Sequence, residues 1–163
     1  MNTRYVLSIL SVPLLVLAGV QLLLLGWSYS LGDAHATTGF AAGAGVAILS
    51  GAGMRLVGKS GGDLYRREGV LIVVGSWLLA SIVGAIPYLA SGVLASPVDA
   101  LFESASGFTT TGATVLQNIE AAGHPILVWR SLTQWLGGIG IVVLFVALIS
   151  KLTAADQFPS AIS

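Results

Sequence analysis

Cysteine is missing from the 163-residue sequence, which excludes disulfides, thiolate metal sites and a cysteine nucleophile together. Charge is scarce: 9% of the residues are Asp, Glu, Lys or Arg, against about 25% in an ordinary soluble domain. The seven basic residues balance seven acidic ones, leaving no basic patch for nucleic acid. Only two histidines occur, His35 and His124, far apart in the chain, and both read as solvated loop residues. No nucleophile, base and acid converge at one depth, so neither catalysis nor a resident cofactor is expected.

Apolar length takes the place of charge. Hydrophobic residues make up 55% of the chain and its mean hydropathy is +0.91, so lipid is the expected solvent. Tyr5–Trp27 is apolar over the length that spans a hydrocarbon core, with Pro13 inside it and Trp27 and Tyr29 placed for an interfacial belt. Thr38–Val57 is a second span, rich in Gly and Ala, the composition of a helix packed closely on other helices. Gly69–Leu89 is a third, and Ile126–Ser150 a fourth. Between the last two, Val98–Ser106 is too short and too polar to cross, but suits a re-entrant half-helix with Asp99 in its first turn. The expected class is an all-α integral membrane protein. Two N-terminal transmembrane helices precede one unit of helix, re-entrant pore helix with filter, and helix. The expected divisions are residues 1–65, 66–151 and a cytoplasmic tail from 152 to 163.

The half-helix leads into Gly107–Thr114, G-F-T-T-T-G-A-T, a hydroxyl-rich and glycine-punctuated stretch between two spans. By itself it reads as a turn. Its flanks change that, because non-helical backbone at membrane depth survives only where protein buries it or where it lines a water-filled path. Threonine hydroxyls and carbonyls are uncharged oxygen donors, able to replace the hydration shell of a monovalent cation without trapping it. Gly112 permits a positive φ, which would let successive carbonyls point toward one axis.

Arg4, Arg55, Lys59, Arg66, Arg67 and Lys151 fall on one side of this topology, and Arg130 on the other. Both termini are then expected in the cytoplasm of a cell (plasma) membrane protein. Asp33, Asp99, Glu103 and Glu120 would form an acidic outer mouth. For Glu103 and Arg130 two arrangements are open: a buried pair bracing the filter, or an Arg130 that reaches out to water or headgroups. Gly137, Gly138 and Gly140 fit either a gating bend or close packing against the half-helix.

Several runs of sequence are more telling than the pattern. They are R-R-E-G-V-L at Arg66–Leu71, S-W-L-L at Ser76–Leu79, G-A-I-P-Y at Gly84–Tyr88, D-A-L-F-E-S-A-S-G-F-T-T-T-G-A-T-V-L at Asp99–Leu116, and W-R-S-L-T-Q-W-L-G-G-I-G-I-V-V at Trp129–Val143. Over Tyr5–Leu148 the chain resembles the pore subunit of the Trk/Ktr/HKT potassium transporters. The resemblance implies potassium as the transported ion and a filter at Thr110, Thr111, Gly112 and Ala113. It also implies membrane lipid around the chain and a cytosolic nucleotide-binding regulatory subunit as partner. Members of that family carry four such units in one chain, and here there is one. A filter needs a ring, so a homotetramer is expected, with a non-conducting accessory subunit, or the first part of a longer subunit, as the alternative.

Overall fold

The structure, a computed structural model, describes residues 3–59, 61, 66–119 and 122–156, without the side chains of Arg66 and of residues 144–156. Its elements are α1 (Thr3–Ser30), α2 (Ala34–Val57), α3 (Arg66–Ala90), α4 (Pro97–Phe108) and α5 (His124–Asp156). The described residues contain no β-strand. α1, α2, α3 and α5 are each long and apolar enough to cross a membrane, and α4 is not among them. The outward faces carry Leu23, Leu49, Leu56, Val74, Leu78 and Val142 in the open, as expected where hydrocarbon replaces water.

α1 and α2 form a hairpin. The turn is closed by the Leu31 N–H donating to the Trp27 carbonyl at 3.1 Å and by Gly32 at φ 72°. α2 starts at Ala34 rather than at the expected Thr38, because the Asp33 carboxylate accepts the Ala36 N–H at 2.9 Å and caps the helix. α1 passes through Pro13 as one helix.

The small residues of α2 do what their spacing implies. Ala36, Gly39, Phe40, Gly43, Ala44, Ala47 and Gly51 form its buried face. A Cβ on Gly39 would lie 2.7 Å from the Pro87 carbonyl, and one on Gly43 would lie 3.0 Å from Pro87 Cγ. α2 therefore seats the proline turn of α3, which in turn carries Tyr88 into the core with no exposure. That core centres on Trp129 of α5. Its ring meets Phe40 of α2 edge-on at 6.2 Å and Phe108 of α4 at 6.5 Å, so one side chain ties the N-terminal hairpin to the pore segment.

α4 packs against both α3 and α5. Its C-terminal residue, Phe108, meets Trp77 of α3 and Gly137 of α5. Each lies about thirteen residues from the loop-side end of its helix, or about 20 Å at 1.5 Å per residue. The half-helix thus descends roughly to the middle of the span and the chain returns on the side it came from. α5 continues to Asp156, past the expected end at Ser150, so the tail expected from residue 152 begins inside a helix. Residues 157–163 lie outside the described residues.

Candidate functional site: a re-entrant oxygen-lined strand

α4 begins with Ser96 as N-cap, accepting from the Asp99 N–H at 3.3 Å, and with Pro97 in the first turn. It ends two residues later than the sequence suggests, because Gly107 has no side chain to keep it from Thr133 of α5. A Cβ there would overlap the Thr133 hydroxyl. Beyond Phe108 the chain folds over the helix end. The Thr109 N–H donates to Ala105 at 2.9 Å, Thr110 to Gly107 at 2.9 Å, and Thr111 to Ser106 at 3.0 Å. Thr110 takes φ 58° and Gly112 φ 76°, two left-handed residues separated by one. From Thr111 to Leu116 the backbone belongs to no helix.

Thr109, Thr110, Thr111, Gly112, Ala113 and Thr114 are all exposed. The predicted filter residues therefore form one continuous uncovered strand at mid-span, presenting oxygen. The Thr109 and Thr111 hydroxyls stand 2.9 Å apart. Among the described residues no protein donor reaches the carbonyls of Thr110 and Thr111. The other two carbonyls differ from the expectation of a single direction. That of Gly112 accepts from an Arg130 terminal nitrogen at 3.1 Å, and that of Ala113 from the Ser106 hydroxyl at 2.6 Å.

Behind the strand lies Glu103, 1% exposed. Its carboxylate accepts Arg130 Nε at 2.6 Å, the Val115 N–H at 3.0 Å and the Thr114 hydroxyl at 2.9 and 3.0 Å. Of the two arrangements open in the sequence, the buried pair is the one found. Removing a carboxylate from water is tolerable when cation and hydrogen bonds together replace the solvent. The acidic outer mouth needs correction accordingly. Glu103 is interior and neutralised by Arg130, Asp33 is occupied in capping α2, Asp99 remains exposed, and Glu120 lies outside the described residues.

The three α5 glycines separate. A Cβ on Gly137 would overlap the Phe108 carbonyl, so this glycine is required by close packing of the half-helix. Gly138 meets only Thr110 Cγ2 at 3.8 Å, and Gly140 the Trp77 ring at 3.3 Å. Four supporting residues escaped the sequence reading. Ser106 and Thr114 hold the strand, Trp77 donates Nε1–H to the Phe108 carbonyl at 3.0 Å, and Trp129 donates Nε1–H to Gly84 at 3.1 Å. Trp77, a tryptophan in the middle of a span and away from the interfacial belt, was the available signal.

A half-helix that stops at mid-span, followed by an exposed oxygen-rich strand returning between two crossing helices, is a re-entrant segment in an all-α integral membrane protein. A family model described as TrkH: Cation transport protein matches residues 36–156, and the chain belongs to that family. It is 48% identical over 95 residues to the Trk system potassium uptake protein TrkH of Escherichia coli K12, a match covering 56% of this chain and 19% of the relative. It is 43% identical over 115 residues to the TrkH of Halomonas elongata, covering 69% of this chain and 24% of the relative. Against the E. coli K12 protein TrkG the identity is 41% over 95 residues, covering 58% and 20%. The chain thus spans about a fifth to a quarter of the curated relatives it matches. No solved structure matches it significantly.

Proposed function

We propose that the chain supplies one quarter of a potassium-selective pore, with Thr110, Thr111, Gly112 and Ala113 as its filter segment. The observation that carries this reading is the exposure of Thr109–Thr114 at mid-span on a chain whose other mid-span backbone is helical. Such a strand is stable in lipid only if protein or water covers it, and copies arranged about an axis supply both. Four identical strands would close a ring by cyclic symmetry, with the uncovered Thr hydroxyls and carbonyls as cation ligands. Glu103 and Arg130 hold the strand from behind, and the positive charge of Arg130 is balanced there by Glu103. The chemistry is permeation, with potassium as cargo and no group resident in the protein.

The coverage of the relatives favours a second reading, in which this repeat closes its ring with other repeats of a longer Trk-type subunit, or assists one, rather than with copies of itself. One experiment separates the two. Native mass spectrometry of the purified chain, beside potassium flux in liposomes, should show a four-copy complex that conducts. A stable monomer without flux sinks the homotetramer.

A further inference from the structure

Trp135 of α5 occupies a depth that bilayer-facing tryptophans avoid. It precedes Gly137 by two residues, so it shares the mid-span depth at which Gly137 meets Phe108, and it is 63% exposed. Its indole N–H has no acceptor among the described residues. Tryptophans that face lipid gather at the interface because water serves that donor there, whereas hydrocarbon offers it nothing. An open mid-span indole therefore calls for protein that brings an acceptor to the same depth.

The direction in which Trp135 faces follows from its neighbours. Thr133 and Gly137, each two residues away from it, meet Gly107 and Phe108 of α4. At 3.6 residues per turn this places Trp135 about 160° round α5 from that contact, beside the exposed Ile139. Ala105 holds the same position on α4. It is two residues from Glu103 and two from Gly107, and both of these meet α5. Within one turn of Ala105 the half-helix exposes Leu101, Phe102 and Thr109. The α4 and α5 pair thus carries two open faces turned away from each other. The exposed strand is tied to both helices, through Ser106 to Ala113 and through Arg130 to Gly112. The two faces are complementary. One presents a large ring with a donor, and the other a small residue set between larger ones, with a hydroxyl whose oxygen can still accept after donating to the Ala105 carbonyl.

We infer that Trp135 of one copy seats over Ala105 of the next, between its Phe102 and Thr109, and donates its indole N–H to the Thr109 hydroxyl. This rests on the ring of four copies proposed above and names the surface that closes it. The depths agree, since Ala105 precedes Phe108 by three residues and Trp135 precedes Gly137 by two. The contact is head-to-tail, so each copy uses both faces and the series closes into a ring instead of stopping at a pair. Lipid on the same face would leave the indole without an acceptor.

The chain has no cysteine, so introduced thiols report alone. Ala105→Cys and Trp135→Cys in one chain, treated in membranes with a short bifunctional thiol reagent, should give a ladder that ends at four copies. The two single variants co-expressed should give dimers and nothing larger. Leu23→Cys in place of Ala105→Cys should abolish the ladder, because Leu23 is exposed on α1. Without cross-linking, Trp135→Phe keeps an aromatic ring and loses the donor, and should weaken each contact roughly fivefold, the effect of one hydrogen bond, as read from the four-copy fraction in native mass spectrometry. Trp135→Ala should weaken it further. A four-copy complex in the parent with no ladder in the double variant would overturn this surface and leave the ring standing. A monomeric parent would overturn both. An equal ladder with Leu23→Cys, or a parental four-copy fraction in Trp135→Ala, would also overturn the surface.

Discussion

Arg130 Nε lies 2.6 Å from Glu103 Oε1, while a terminal nitrogen of the same guanidinium donates to the Gly112 carbonyl. One side chain from α5 therefore links the buried carboxylate of the half-helix to the exposed strand in front of it. The link has a directional character that a simple ion pair lacks. Glu103 fixes Arg130, and Arg130 fixes Gly112.

The first prediction is a coupling. Glu103→Gln leaves Arg130 with a carbonyl and partial solvent contact, and Arg130→Gln leaves a carboxylate that is 1% exposed. Breaking a buried pair from one side costs roughly 3–5 kcal/mol, whereas losing both charges avoids the orphaned one. Thermal unfolding in detergent should therefore find the double variant less destabilised than either single one. Additive losses would show that the two residues do not couple.

Gly137 and Gly138 provide a second contrast between adjacent glycines. Gly137→Ala pushes a methyl into the Phe108 backbone, and overpacking of this kind costs roughly 1–3 kcal/mol. Gly138→Ala meets ordinary contact and should leave stability unchanged or raise it by about 0.5–1 kcal/mol, the helix preference for alanine. Melting temperatures of the two variants decide the matter. Equal destabilisation would mean that the glycines serve a bend common to both positions.

These contrasts also mark what was legible beforehand. Length and hydropathy reveal the four crossing helices, because the bilayer imposes one dimension on every span. The half-helix was legible by being too short, and its Ser-Pro-Val-Asp start follows ordinary capping chemistry. For Glu103 the sequence left the Arg130 pair as one of two arrangements, and its other donors, Thr114 and Val115 from 11 and 12 residues away, were not legible at all. No local period encodes such a meeting. Nor could G-G-I-G at Gly137–Gly140 say which glycine touches Phe108, because both a hinge and a close crossing use the same residues.

Trp77 offers a third test. Its indole N–H holds the carbonyl of Phe108, the last residue of the half-helix. Trp77→Phe keeps most of the ring volume and removes the donor, at a cost of about 0.5–1.5 kcal/mol. The expected outcome is a small fall in thermal stability with assembly retained. Trp77→Phe with unaltered stability would show that the contact does not anchor the half-helix.

The final prediction concerns Gly112. It adopts φ 76°, a conformation that costs an L-residue about 1–2 kcal/mol, and an added Cβ would meet nothing closer than Gln134 Nε2 at 3.8 Å. Space is therefore not the obstacle to a side chain; backbone conformation is. The strand already carries Thr110 at φ 58°, so the fold tolerates one such residue, and Gly112→Ser should still assemble. What should change is the direction of the Gly112 carbonyl and its bond to Arg130, and with them the oxygen positions of the proposed filter. Thr38→Ser, on the exposed face of α2, preserves the hydroxyl that bonds to the His35 carbonyl and serves as the control. Bi-ionic reversal potentials, or sodium competition against rubidium uptake in liposomes, should show reduced preference for potassium in Gly112→Ser and none lost in Thr38→Ser. Parental selectivity in Gly112→Ser, in a complex of the parental mass, would remove Thr110–Ala113 from consideration as the filter.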